Sequence, residues 1–139
     1  MLIGSYRHAV DAKKRMRMPS KLKNEIGSNF VITKGLGKNL FVFSKEEFDV
    51  VYNKLKALPI FNEEAQKPAK KFLSSAFELE EDAQGRVLLP KELCIFAEIT
   101  KEIVFVGAGN RVEIWSEENW NKADEDTAVD FSVLGGLGI

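Results

Sequence analysis

Asp11–Leu22 reads DAKKRMRMPSKL, and Asp82–Leu93, 71 positions later, reads DAQGRVLLPKEL. Asp11, Ala12, Arg15, Pro19 and Leu22 fall on Asp82, Ala83, Arg86, Pro90 and Leu93. A shift of 72 then lays VITKGLGKNLFVFSKEEF on IVFVGAGNRVEIWSEENW. That superposes Gly35 and Gly37 on Gly107 and Gly109, Phe43-Ser44 on Trp115-Ser116, and Phe48 on Trp120. The slip of one residue falls between the matched blocks, where a loop absorbs it. Two blocks matching in the same order mark an internal duplication, which governs every later assignment.

Each repeat has the same local reading. An extended segment (Ser5–Val10; Phe77–Glu80) meets an Asp-led turn and then a short strand (Arg15–Met18; Arg86–Leu89). Pro19 and Pro90 end those strands and suit the first turn of a helix. In the first helix Leu22 and Ile26 share a face, and Gly27 follows as its C-cap. Two strands joined by a glycine-bearing turn come next, FVITK with LFVF and IVFV with VEIW. Ser44 and Ser116 read as N-caps, with Glu47 completing a Ser-x-x-Glu capping box. Helices over Lys45–Leu58 and about Glu63–Phe77 connect the repeats, with Phe48, Val51, Tyr52 and Leu55 as a packing stripe. The tail from Asp124 has no periodicity and is expected to be mobile, with an apolar end able to dock on a neighbour. A repeat of this size cannot stand alone, so the two should interleave strands around one core.

The turn itself has a chemistry. An Asp opening a turn accepts hydrogen bonds from backbone N–H groups shortly ahead of it, and Asp11 can also brace Arg15. Gly85 occupies a position that commonly needs positive φ. Lys14 stands at that position in the first repeat, where it fits less well. Beyond the turn, period-two alternation puts Arg15 and Arg17 on one face, and Arg86 with Leu88 on the equivalent face. Arg suits phosphate oxygens and guanine edges because its planar fork donates two parallel hydrogen bonds.

Charge separates the two halves. Residues 1–71 carry 15 Lys and Arg against 7 Asp and Glu, whereas residues 72–139 carry 5 against 14. The net charge of −1 therefore conceals a basic half fitted to a polyanion. Lys13, Lys14, Arg15, Arg17 and Arg7 gather around the first turn, while Glu78, Glu80 and Glu81 crowd Arg86. A single Cys and a single His exclude an internal disulfide and the usual zinc sites. No apolar run reaches membrane-spanning length, and the N-terminus lacks a signal-peptide core. A cytoplasmic location is expected.

GSYRHAVDAKKRMRMPSKL, the paired Asp-x-x-x-Arg turns, GNRVEIW and the connecting KLKALP together resemble the MraZ family of bacterial transcriptional regulators, built from two SpoVT-AbrB-like repeats. The resemblance runs from about Gly4 to Trp120. It implies a mainly β, α+β fold in which two pseudo-symmetric repeats form a swapped-hairpin, AbrB-like β-barrel related to the double-ψ type. Repeat 1 would span 5–47, a helical connector 48–75, repeat 2 76–119, and a helix end with a tail 120–139. It further implies a ring-shaped homo-oligomer that binds double-stranded DNA at direct repeats upstream of its own operon, the division and cell-wall cluster, in association with the nucleoid. Carried onto this chain, the DNA-contacting motif falls on Asp11–Arg15 and Asp82–Arg86. The expected DNA-binding residues are Arg15, Arg17, Lys13, Lys14, Arg7 and Arg86, with Asp11, Asp82 and Gly85 shaping the turns. The chain departs from the family pattern at Lys14, where a small residue is usual.

GLG and GAG do not continue into G-x-G-x-x-G and lead into strands, so they read as hairpin turns. His8 has no Ser or Cys partner and reads as a strand residue, and Cys94 reads as core. No enzyme, cofactor or metal is expected. One rival is an oligomeric scaffold that binds proteins, for which the basic N-terminal cluster would have no use. Another is an AbrB-like antitoxin or general transition regulator, but those usually carry one repeat per chain, so the internal duplication argues against it.

Overall fold

Both repeats build the same series of elements, as the duplication requires. The computed structural model describes residues 1–125, 129 and 131–139. Repeat 1 supplies β1 (Ser5–Ala9), β2 (Arg15–Met16), α1 (Ser20–Ile26), β3 (Asn29–Lys34), β4 (Asn39–Ser44) and α2 (Lys45–Lys56). After α3 (Glu63–Ser74), repeat 2 supplies β5 (Phe77–Glu80), β6 (Val87–Leu88), α4 (Lys91–Phe96), β7 (Glu102–Gly107), β8 (Val112–Ser116) and α5 (Glu117–Asp124). The tail expected from Asp124 lies partly outside the described residues, and within it α6 (Ser132–Gly136) is a short helix where no periodicity announced one.

The strands interleave. Six of them form one antiparallel sheet in the order β1-β7-β8-β4-β3-β5. The hairpins β3–β4 and β7–β8 stay within their own repeats and join through β4 and β8. The lead strands cross over: β1 of the first repeat pairs with β7 of the second, and β5 of the second pairs with β3 of the first. The expected barrel is therefore corrected in one respect: the sheet does not close, because β1 and β5 each pair on one side only among the described residues. The remaining strands, β2 and β6, are two residues each and pair with one another as a separate ribbon. They are too short to bridge the two open edges.

One core serves both repeats. Leu22, Phe30, Ile32, Leu40 and Val42 from the first meet Leu93, Ile103, Phe105, Val112 and Ile114 from the second, all fully buried. Burial on this scale is the main source of stability, at roughly 25 cal/mol per Å² of apolar surface removed from water. Cys94 lies in this core as expected, and burial raises its thiol pKa. His8 lies on β1 with its ring edge-on to Phe105 at 5.5 Å.

The second face of the sheet is covered by the helices that follow each hairpin. Ser44 Oγ accepts the Glu47 N–H and Ser116 Oγ accepts the Asn119 N–H, both at 3.1 Å, so each serine caps its helix. Phe43 then meets Phe48 at 5.8 Å, and Trp115 meets Trp120 at 5.6 Å, which are equivalent contacts in the two repeats. The α2 stripe is only half-buried: α2 fully buries no side chain, and with Ala69 and Phe72 of α3 it lines an open apolar cleft. The connector helices also stop short of their expected ends, at Lys56 and Ser74. Among the described residues no helix is long and apolar enough to cross a membrane.

Gly107 ends β7 under the N-terminal segment, and its N–H donates to the Gly4 carbonyl at 2.8 Å. A Cβ there would collide with the backbone of Leu2 and Ile3, which cannot swing aside as a side-chain end can. Gly107→Ala is expected to lower stability by about 1–3 kcal/mol through forced displacement of that segment. Urea unfolding checks this, and an unchanged midpoint would show that the N-terminal residues yield freely.

Candidate nucleic-acid interface

The two Asp-led turns are the same structure made twice. Asp11 Oδ1 accepts the N–H groups of Lys13 and Arg15, both at 2.9 Å, and Oδ2 accepts Arg15 Nε at 2.6 Å. Asp82 Oδ1 accepts the N–H groups of Gln84 and Arg86 at 2.8 and 2.9 Å, and Oδ2 accepts Arg86 Nε at 3.0 Å. Each turn also closes on backbone bonds, Lys14 N–H to the Asp11 carbonyl at 2.9 Å and Gly85 N–H to the Asp82 carbonyl at 3.0 Å.

The fourth residue of each turn is in the left-handed region, Gly85 at φ 75° and Lys14 at φ 63°. Glycine adopts this without penalty, whereas a residue with a Cβ gives up roughly 1–2 kcal/mol. The poor fit of Lys14 is thus tolerated, and the turn keeps its shape. Part of the compensation is visible: Lys14 Nζ donates to the Thr100 carbonyl at 2.7 Å, tying the first turn to the second repeat.

The ribbon fixes how the turns face. β2 and β6 run antiparallel with Arg15 opposite Leu88 and Met16 opposite Val87. The Leu89 N–H extends the ladder to the Lys14 carbonyl at 2.9 Å. One more step in that register sets Arg17 opposite Arg86. Met16, Met18, Val87 and Leu89 point into the core and are buried. Arg15, Arg17, Arg86 and Leu88 therefore share the outer face, as alternation predicts. Arg15 and Arg86 are held through Nε, and their terminal nitrogens have no partner among the described residues. Arg17 Nη1 donates to the Gln84 carbonyl at 2.6 Å, bridging from the first strand to the second turn.

Arg15, Arg17, Arg86 and Lys13 thus come together around one ribbon, and Lys14 sits beside them with its ammonium anchored on Thr100. Arg7 is not brought to the group. It donates to Asn121 Oδ1 at 3.1 Å and faces Glu117 at 3.6 Å, both on α5. The acidic surroundings of Arg86 are also milder than the sequence implies, because Glu81 pairs with Lys23 at 2.7 Å with its side chain only 9% exposed. Nothing local announced the partnerships of Lys14 with Thr100 or Lys23 with Glu81, since each joins residues of different repeats.

The family model described as "MraZ protein, putative antitoxin-like" matches residues 1–69 and 72–132. Among curated proteins, the chain is 48% identical to the "Transcriptional regulator MraZ" of Carboxydothermus hydrogenoformans, over 87% of this chain and 85% of that one. It is 45% identical to the protein of the same name from Thermoanaerobacter sp. strain X514, over 96% and 94%. With the one from Alkaliphilus oremlandii it shares 43% identity across the full length of both.

The turn geometry sets an acid limit. The Arg15 N–H, foremost among its hydrogen bonds, lowers the Asp11 pKa, and the Arg86 N–H does the same for Asp82, each against a smaller opposing effect of burial. With folded values below unfolded ones, the stabilisation is complete above the unfolded value, about 3.9. It is lost as pH falls through the folded values. Because the leading cause is a backbone N–H, Arg15→Ala should leave the Asp11 midpoint below the ordinary range in a carboxyl ¹³C titration. A midpoint returning to about 3.9 would assign the effect to the guanidinium instead. Lys14 gives a second check. Lys14→Ala keeps the strained backbone and loses the Thr100 bond, at about 0.5–1.5 kcal/mol in thermal unfolding. Lys14→Gly should be nearly neutral because relief of strain offsets the lost bond; equal losses in both variants would show that the strain is negligible.

Proposed function

The chain belongs to the MraZ family, and on that basis we propose that it is a transcriptional regulator that binds double-stranded DNA through the two turns and the ribbon between them. It acts as a ring-shaped homo-oligomer on direct repeats upstream of its own operon, the division and cell-wall gene cluster, and works on the nucleoid without catalysing a reaction. The observation that carries this reading is the paired capture of Arg15 and Arg86 by Nε. Fixing Nε against an Asp orders the side chain beforehand and leaves the terminal nitrogens to donate in parallel. That geometry suits a phosphate or the O6 and N7 edge of guanine.

Roles divide according to the contacts. Arg15 and Arg86 read base edges or clamp phosphates, and Arg17 and Lys13 supply phosphate contacts beside them. Lys14 contributes field from its anchored position, and Arg7, engaged with α5, contributes least. Asp11, Asp82 and Gly85 hold the turns. A single protomer presents few cations, so its non-specific affinity is weak at physiological salt. Several protomers on successive DNA repeats gain through effective concentration without any new contact.

Fluorescence anisotropy tests this with the DNA upstream of the protein's own gene, a shuffled control and a salt series. Wild type should prefer the upstream DNA, with affinity falling steeply as salt rises. Arg15→Ala should cost about 10- to 100-fold on the upstream DNA, and Arg7→Ala much less. A wild type that ignores both DNAs while forming large oligomers would reject the regulator and favour the scaffold.

A further inference from the structure

The two halves of the ribbon differ on the side that each presents to the helix following it. In repeat 1 the side of the ribbon beside α1 is closed by polar contacts, Arg17 to the Gln84 carbonyl and Lys23 to Glu81. In repeat 2, under the shift of 71, Leu88 replaces Arg17, Cys94 replaces Lys23 and Ile95 replaces Asn24. None of these can make the equivalent bonds. What remains is an open groove of about 630 Å³ floored by Leu88, Pro90, Cys94, Ile95 and Ile99, with Lys13, Lys14 and Lys91 at its edge. Leu88 is 59% exposed and Ile95 67%. On a scaffold otherwise duplicated faithfully, an apolar surface on one side only marks a contact site.

The chain carries a segment of matching chemistry. Phe131, Val133, Leu134, Leu137 and Ile139 are all exposed on and around α6, and residues 131–139 contain no charged side chain. The sequence leading to them includes Asp124, Glu125, Asp126 and Asp130. An acidic stretch followed by an apolar end complements an apolar floor with a lysine edge. In the single chain the segment and the groove are both uncovered, so neither occupies the other.

We propose that the C-terminal segment of a second copy of this chain, residues 131–139, docks in the groove between β6 and α4, with Asp124 and Glu125 of that copy facing Lys91. The contact is heterologous, because tail and groove are different surfaces of one protomer. Repeated from copy to copy, such a contact closes into a ring if its rotation allows. The proposal rests on the homo-oligomeric part of the function proposed above and names the joint between neighbours.

The test uses the full-length chain with a benzophenone amino acid in place of Leu134, mixing ¹⁴N- and ¹⁵N-labelled copies before irradiation. Mass spectrometry should find crosslinks between differently labelled chains, on residues 88–100. Ile95→Asp, at an exposed position that does not threaten the core, should abolish them. Light scattering across a dilution series should show association at least about ten-fold weaker in that variant. Crosslinks within one chain, crosslinks to the α2–α3 cleft, or no crosslinks would each overturn the proposal. Oligomers that persist undiminished in both Ile95→Asp and Leu134→Asp would overturn it while leaving the homo-oligomeric reading intact. A wild type that is monomeric throughout would overturn both.

Discussion

Everything at the proposed interface depends on one carboxylate per repeat. Asp11 and Asp82 each gather two backbone N–H groups and one guanidinium nitrogen. An exposed turn of this kind would otherwise leave its N–H groups to water and its arginine among many rotamers. Ordering a long charged side chain costs about 1.5–2 kcal/mol of rotamer entropy. Here much of that loss is taken during folding, before any ligand arrives. The same carboxylate thus shapes the loop and prepares the donor. The left-handed residue is the consequence: the chain can wrap an Asp this tightly only by reversing φ at Gly85 and Lys14.

The ribbon converts two turns into one surface. Burial of Met16 and Val87 on its inner face leaves the outer face no freedom to flip, since a slip of one residue would expose the methionines and bury the arginines. Exchange of the lead strands adds a second restraint. β1 enters its turn from a pairing with β7, and β5 enters its turn from a pairing with β3. Neither repeat can move its turn without disturbing the other's hairpin. Rigid support of this sort is what a recognition loop needs to hold a fixed register on a ligand.

Much of this was legible in the sequence, because the relevant signals are local or periodic. Alternation in RMRM and RVLL settled which side chains face outward, and Ser44, Ser116 and Gly27 marked their caps correctly. The Asp-to-backbone clamp followed from the habits of Asp in turns. The strand order was not legible, since strand partners depend on tertiary pairing: β1 carries no mark distinguishing β7 from β3 as its neighbour, or showing that it pairs on one side only among the described residues. The destinations of long charged side chains were equally hidden. Arg7 reads as part of a basic cluster, yet two residues of α5, more than a hundred positions away, take it up.

Cross-repeat contacts of this kind redistribute the charge that the two halves carry. By sequence the first half is basic and the second acidic, which suggests two faces of opposite sign. Interleaving prevents that arrangement, because strands of both halves alternate in one sheet. Several charges cancel across the repeat boundary: Lys23 with Glu81, Lys38 with Glu98, Arg7 with Glu117. The cations of repeat 1 are partly consumed in holding repeat 2, and the acids of repeat 2 are partly neutralised in return. At the ribbon Asp11 and Asp82 balance Arg15 and Arg86, and the surplus positive charge left there is that of Arg17, Lys13 and Lys14. A field produced by so few groups is local and short-ranged at physiological ionic strength, where the Debye length is about 8 Å. It can orient a phosphate already in contact, but steering from a distance needs more charge than one chain offers. Strong and selective binding of a polyanion by this surface alone would therefore need several copies of it acting on one ligand.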